Sequence, residues 1–180
     1  RDEARHSELR EKRRACVAST GEAGAPALGG DGRAHPLAII EAIREVAAPD
    51  HVGIADGGDL LSFARVGLSS EIYTDAGASG CLGVGTPFAI AAALAFPERR
   101  VISAHGDGAF GINAMEIDSA VRHGARAVFV VSNNAAWKIE RCGQERTYGG
   151  RVVGAELRDS DYAAMARALG ADGERVETPR

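Results

Sequence analysis

An α/β fold, a three-layer sandwich around a mostly parallel sheet, is what this 180-residue chain predicts, and three observations predict it. Short apolar runs alternate with helix-length segments along most of the chain, the pattern that βαβ units leave in a sequence. Aromatic residues make up only 5% while Gly and Ala abound, which suits helices packed closely on a sheet better than an aromatic-rich β-sandwich. Two polar turns, Gly106-Asp-Gly108 and Asn133-Asn134, each close an apolar run, and 24 residues lie between them. That is room for one helix and one returning strand.

Taken in order, residues 2–16 are charged with scattered Ala and Leu and read as a solvated helix or linker arm, and 17–33 are rich in Gly, Ala and Pro without periodicity. Residues 1–33 are therefore expected to be an arm from a preceding domain, and 34–180 the folded domain. His35-Pro36 opens a helix, with Pro in the first turn and Leu37, Ile40, Ile43 and Val46 near helical spacing. Residues 51–55 predict a buried strand, and the turn Asp56-Gly-Gly-Asp59 leads to a helix carrying Leu60, Leu61 and Phe63. Residues 71–74 predict a second strand. The glycine-dense stretch 77–85 then precedes an Ala-rich helix over 84–96. Residues 101–104 and 127–132 predict two more strands with a helix over 112–123 between them. A last helix over 161–169 stops at Gly170, and residues 175–177 start another strand.

Composition narrows the function classes. The formal net charge of −4 leaves no basic stripe, so a nucleic-acid partner is not expected. The longest apolar stretch, 84–96, is shorter than the ~20 residues a bilayer-spanning helix needs, so it is read as a buried helix and no membrane span is expected. Cys16, Cys81 and Cys142 show no CxxC spacing, which supports neither a disulfide framework nor a zinc site and makes a reducing, cytoplasmic setting the expectation. No apolar signal segment follows the charged first residues. The chain starts without Met and stops just after an expected strand start, so it reads as a piece truncated at its C-terminal end.

The chemistry gathers at Asp107 and Asn134. Each sits where an apolar strand ends, and in a parallel βαβ unit both ends reach the same sheet edge, where doubly wound folds place ligands. A carboxylate and an amide oxygen there suit a hard cation, and magnesium favours a few protein oxygens plus substrate phosphates. Residues 106–111 also match G-x-G-x-x-G. Against a dinucleotide turn stand the aspartate inside it, which repels a bare pyrophosphate, and the Asn-Asn end of the next strand where an acidic ribose ligand belongs. A purely structural Asp turn with an Asn cap remains the alternative.

Gly106-Asp-Gly108, the 24-residue spacing and Asn133-Asn134 resemble the signature of thiamine-diphosphate-dependent enzymes. Gly80-Cys-Leu-Gly-Val-Gly85 resembles the loop such enzymes place under the thiazolium ring. Within that family the chain is similar to the diphosphate-binding domain of the acetolactate synthase, oxalyl-CoA decarboxylase and 2-hydroxyacyl-CoA lyase group. The resemblance runs over about 35–169. It implies the thiamine-diphosphate-binding fold, with thiamine diphosphate and Mg2+ as cofactors, and Asp107, the Asn134 side chain and the Ala136 main-chain carbonyl as metal ligands. Gly106, Gly108 and Ala109 would line the diphosphate, with backbone N–H groups offered by Gly108 and Ala109, and Gly58, Asp59 and Leu60 would meet it from an upstream loop. Leu82 falls where many relatives carry Met, the apolar prop that bends the cofactor, and Trp137 and Lys138 fall at positions facing the cofactor or its exit loop.

The same resemblance implies that no catalytic residue lies in this chain. The activating glutamate would come from the pyrimidine-binding domain of a neighbouring subunit, making the enzyme a homo-oligomer, dimer or tetramer. The reaction it implies is reversible cleavage of a short 2-hydroxyacyl-CoA to an aldehyde or ketone and formyl-CoA, so an acyl-CoA substrate is expected. Similarity over 113–117 and 133–140 carries the choice of branch, and an acetolactate synthase-like or oxalyl-CoA decarboxylase-like enzyme, or a non-catalytic cofactor-binding module, are the alternatives. Glu116 reads as a helix-face residue, and His105 as a strand-end histidine satisfied by backbone. Trp137 and Lys138 have a packing ring and a solvated cation as bland readings. Arg141, Arg146 and Arg151 read as surface arginines, with a CoA contact as the sharper option. His6, His35, His51 and His123 show no metal-ligand spacing.

Overall fold

The computed structural model describes residues 28–29 and 32–177. The expectations for residues 1–27, including Cys16 and His6, lie outside the described residues. Helix α1 (Pro36–Val46) is capped by His35, whose ring nitrogen accepts from the Leu37 N–H at 3.2 Å, and it buries Ile40 and Ile43. Val46, expected on the same stripe, is exposed at the helix end. Strand β1 (Val52–Asp56) is buried throughout, and α2 (Asp59–Gly67) returns along the sheet to β2 (Ile72–Thr74). A 3-10 turn (Gly77–Ser79) and the glycine loop lead into α3 (Gly85–Ala95). Next come β3 (Val101–Gly106), α4 (Asp107–Asn113), α5 (Glu116–Arg122) and β4 (Ala127–Ser132). The chain continues into α6 (Lys138–Thr147) and α7 (Tyr162–Ala168).

The four strands are parallel in the order β2-β1-β3-β4. Alternation along each strand divides the side chains between two helical layers. On one face Ala55, Ile102 and Ala104 pack with Ile40, Ile43, Leu60, Leu61 and Ala64 of α1 and α2. On the other, Val52, Ile54 and Val101 meet Ala89 and Ala93 of α3, while Phe110, Ala114 and Ile117 meet Phe129, Tyr162 and Met165. This is the three-layer α/β arrangement that the alternating pattern predicts.

Four further details depart from what the sequence predicts. The Ala-rich helix buries Ala89, Ile90 and Ala93 while Phe88 and Leu94 face outward, because the alanines let that side lie closest to the sheet. The helix expected over 112–123 is two helices. At Ala114 and Met115 the ladder tightens, with Ile117 N–H bonding Ala114 and Asp118 N–H bonding Met115, both at 3.1 Å. Helix α6 occupies a stretch for which the sequence predicts no element. Residues 175–177 form no strand; the Arg175 guanidinium instead holds Asp159 at 2.9 Å and Glu177 at 3.0 Å, which keeps this polar tail off the sheet.

Candidate functional site

The strand order places a switch point between β1 and β3, since the chain leaves β1 towards β2 and leaves β3 towards β4. Loops diverging from such a point open a crevice at the carboxyl ends of the strands. Here the two loops touch. Gly57 has φ +118°, and a Cβ on it would stand 3.1 Å from the Gly106 nitrogen, so only glycine allows this approach.

Asp107 begins α4 at this point, 2% exposed, and its Oδ2 has no hydrogen-bond partner among the described residues. Burial pushes its carboxyl above the ordinary range, opposed by the backbone N–H groups of Gly108, Ala136 and Ala135. The loop after β4 closes over it through two consecutive Asx turns. Asn133 Oδ1 accepts from Ala135 N–H at 3.2 Å and Asn134 Oδ1 from Ala136 N–H at 3.1 Å, with Ala135 left-handed at φ 54°. The Ala136 N–H that bonds Asn134 Oδ1 is thus also near enough to the Asp107 carboxyl to favour its charged form, so the two side chains approach the same backbone group. Ala136 bridges Glu156 through bonds made by its neighbours, Trp137 N–H to Ala155 O at 2.9 Å and Leu157 N–H to Ala135 O at 2.8 Å. Its own carbonyl stays outside that pair.

A strap over residues 155–162 secures this loop. Asn133 Nδ2 donates to Asp159 Oδ1 and to the Ser160 carbonyl, both at 3.0 Å. The Tyr162 hydroxyl donates to the Asp107 carbonyl at 3.1 Å, and Arg33 donates to the Asn133 carbonyl at 2.7 Å. A free carboxylate oxygen, an amide oxygen with a lone pair to spare and an unbridged carbonyl form an all-oxygen donor set that fits a hard cation such as magnesium. No group of three or more His, Cys, Asp or Glu is placed to hold a metal among the described residues.

The other expected residues fall around this centre. Gly58 caps α2 and Asp59 starts it; burial raises the Asp59 carboxyl, opposed by the nearby charges of Lys138 and His35. Leu60 points into the core, so only its backbone reaches the edge. Gly108 and Ala109 are buried in the first turn of α4, where backbone N–H groups lack intrahelical partners. The Trp137 ring lies on Gly108, where a Cβ would meet it at 2.6 Å, so the indole packs on the first turn of α4. Lys138 opens α6. Leu82 stands half-exposed in the glycine loop. A groove of about 1740 Å³ flanks β4 and reaches Asn134, Asp59 and Lys138, but Asp107 and Leu82 do not line it.

His105 corrects an expectation. Its ring bonds the Ser103 hydroxyl at 2.7 Å, not backbone, because residues two apart on a strand share a face. Burial holds its pKa down to about 3, so the imidazole is neutral. Glu116 is exposed on α5 as expected. Three contributors escaped the sequence reading: Asp56, Asn113 and Tyr162. Asp56 carries the same signal that exposed Asp107, an acidic residue ending an apolar strand; the other two carry none.

Residues 56–180 match the model of the family described as "Thiamine pyrophosphate enzyme, C-terminal TPP binding domain". The chain belongs to this family. It is 40% identical to the acetolactate synthase large subunit of Mycobacterium tuberculosis over 149 residues, 81% of this chain and 27% of that protein. It is 35% identical to mouse 2-hydroxyacyl-CoA lyase 2 over 143 residues, 77% of this chain and 22% of that protein. The chain therefore spans about a quarter of the length of the curated relatives it matches. A thiamine diphosphate-dependent 4-hydroxybenzoylformate decarboxylase from Rhodococcus jostii shares the fold at a TM-score of 0.74, with 24% identity over 86% of this chain and 30% of that one.

Proposed function

We propose that this chain is the diphosphate-anchoring domain of a thiamine-diphosphate-dependent enzyme that makes or breaks carbon–carbon bonds beside a carbonyl. One observation carries the reading: at the β1/β3 switch point the buried Asp107 carboxyl, one oxygen of which has no partner among the described residues, lies beside the Ala136 N–H that bonds Asn134 Oδ1. Asp107, the Asn134 side chain and the Ala136 carbonyl would hold magnesium, and Gly108 and Ala109 would present N–H groups to the diphosphate. Leu82 would stand against the cofactor's rings. When bound, the cofactor supplies a nucleophilic carbon, and the protein supplies position and electrostatics.

The activating glutamate is proposed to come from the pyrimidine-binding domain of a neighbouring subunit; outward-facing Phe88, Ile112 and Met115 near the glycine loop support a covered face there. Calorimetry of the full-length protein with thiamine diphosphate tests the cofactor. Binding that disappears with EDTA is expected; NAD binding indifferent to chelator would overturn the reading. Tight cofactor binding without turnover of either substrate class below would mark a non-catalytic module.

For the substrate, we propose a short 2-hydroxyacyl-CoA thioester, cleaved reversibly to an aldehyde or ketone and formyl-CoA, supported by the similarity over 113–117 and 133–140. Acetolactate synthesis is the second reading, and the 40% identity to the mycobacterial synthase favours it. Incubating the full-length enzyme with 2-hydroxyisobutyryl-CoA, and separately with pyruvate, decides. Release of ketone supports the lyase; acetolactate alone moves the enzyme to the synthase branch.

A further inference from the structure

A second buried carboxyl lies at the same sheet edge, outside the donor set of Asp107, Asn134 and Ala136. Asp56, the last residue of β1, is 0% exposed and pairs in register with His105 of β3. Its Oδ2 accepts the Gly85 N–H at 2.7 Å, and its Oδ1 has no partner among the described residues. Burying an ionisable group with one oxygen unpaired costs stability, so the rest of the fold must hold Asp56 in place. Burial pushes this carboxyl up, and the N–H groups of Gly85, Gly57 and Gly83 oppose the shift.

The same loop is held from its other side. Asn113, the last residue of α4, donates through Nδ2 to the Gly83 carbonyl at 2.8 Å. Both glycines are needed for these grips. A Cβ on Gly85 would meet His105 at 2.5 Å and Asp56 at 2.7 Å, and one on Gly83, at φ +88°, would meet Ile112 at 2.7 Å. Leu82 immediately precedes the doubly held segment. Helix α4 carries Asp107 at its first residue and Asn113 at its last, so a rigid segment of nearly two turns, roughly 9 Å long, spaces the cation ligand from the loop.

We infer that Asp56, through the Gly85 N–H, and Asn113, through the Gly83 carbonyl, clamp the glycine loop and set the height at which Leu82 meets the cofactor. Both are positioning residues; neither touches the reacting atoms. The inference rests on the reading of Leu82 as the cofactor's prop. Because the diphosphate is gripped elsewhere, at 106–109 and 134–136, the clamp governs turnover while the anchor governs retention.

The test uses the full-length enzyme with Asn113→Ala, Asp56→Asn and Asp56→Ala. It reads thiamine-diphosphate affinity in magnesium, kcat, and hydrogen exchange of peptides covering 80–86. Asn113→Ala is expected to leave cofactor affinity within about threefold, to lower kcat about 10- to 100-fold, and to speed exchange at 83–85 alone. Asp56→Asn, which keeps an acceptor for Gly85, should be milder than Asp56→Ala. Wild-type kcat in Asn113→Ala, unchanged loop exchange, or affinity falling in parallel with kcat would each overturn the clamp. If Asp56→Ala does not fold, the other two variants decide. Failure of the wild-type protein to bind thiamine diphosphate would instead sink the cofactor reading, and the exchange measurement would still judge the clamp.

Discussion

The β1–β3 half of the sheet and the β4 edge build the same site by different means. Every residue of β1 is buried, as are the first five of β3, whereas β4 is only half-covered until Ser132. Correspondingly, β1 ends in the buried carboxyl of Asp56, which accepts the Gly85 N–H, and β3 runs directly into that of Asp107, while β4 runs into neutral amides folded into Asx turns and tied down by the 155–162 strap. An uncompensated carboxylate needs a rigid, dry frame to be held ready for a cation. Neutral oxygen donors tolerate an edge, because leaving them partly solvated costs little.

Four measurements would break or sharpen that contrast. The largest effect belongs to the rigid half: Gly85→Ala drives a methyl into His105 and Asp56, and a loss of about 3 kcal/mol in denaturant unfolding is expected. A cost near zero would mean the frame yields. Asp107→Ala should weaken cofactor retention tenfold or more, about 1.4 kcal/mol, while the cofactor-free protein melts no lower than wild type, since an orphaned buried oxygen is removed. Wild-type affinity in magnesium would break the assignment of Asp107 to the cation.

On the edge, Tyr162→Phe deletes one hydroxyl from the Asp107 carbonyl. About 1 kcal/mol of stability should go, along with a small rise in the magnesium concentration needed for half-saturation. An effect as large as that of Gly85→Ala would erase the distinction between the halves. The smallest change lies at the opposite edge, where the Arg65 guanidinium bonds Asp75 at 2.9 Å and holds its carboxyl down to about 2 from 3.8. A depressed carboxyl stabilises the fold above pH 3.8, and that contribution fades as pH falls towards 2. Arg65 is half-exposed, so Arg65→Gln should cost under about 1 kcal/mol near neutrality, with the difference from wild type vanishing in acid titration.

Much of the site was legible because strand ends announce themselves: Asp107 and Asn134 interrupt apolar runs, and the 24 residues between Gly108 and Asn133 admit little besides a helix and a strand. Asp56 carried the same mark but sat beside two glycines, which read as an ordinary turn. Helix α6 was hidden because its stretch, Lys138–Thr147, is polar, buries no residue and contains Gly143, so it offers no apolar stripe to detect. Val46 and Phe88 misled in the opposite direction, since apolar periodicity does not say which side meets the sheet.

Local sequence alone determined the alternation of strands and helices, the polar turns at the strand ends and the family, because periodicity, turn chemistry and motif spacing are properties of neighbouring residues. Only the tertiary structure decided that β1 would lie beside β3, that Asp56 and Asn113 would seize one loop from opposite sides, and that Tyr162 would reach back 55 residues to Asp107. Those pairings join residues far apart in the chain. Burial against the rest of the fold, and not anything in their local surroundings, gives them their partners.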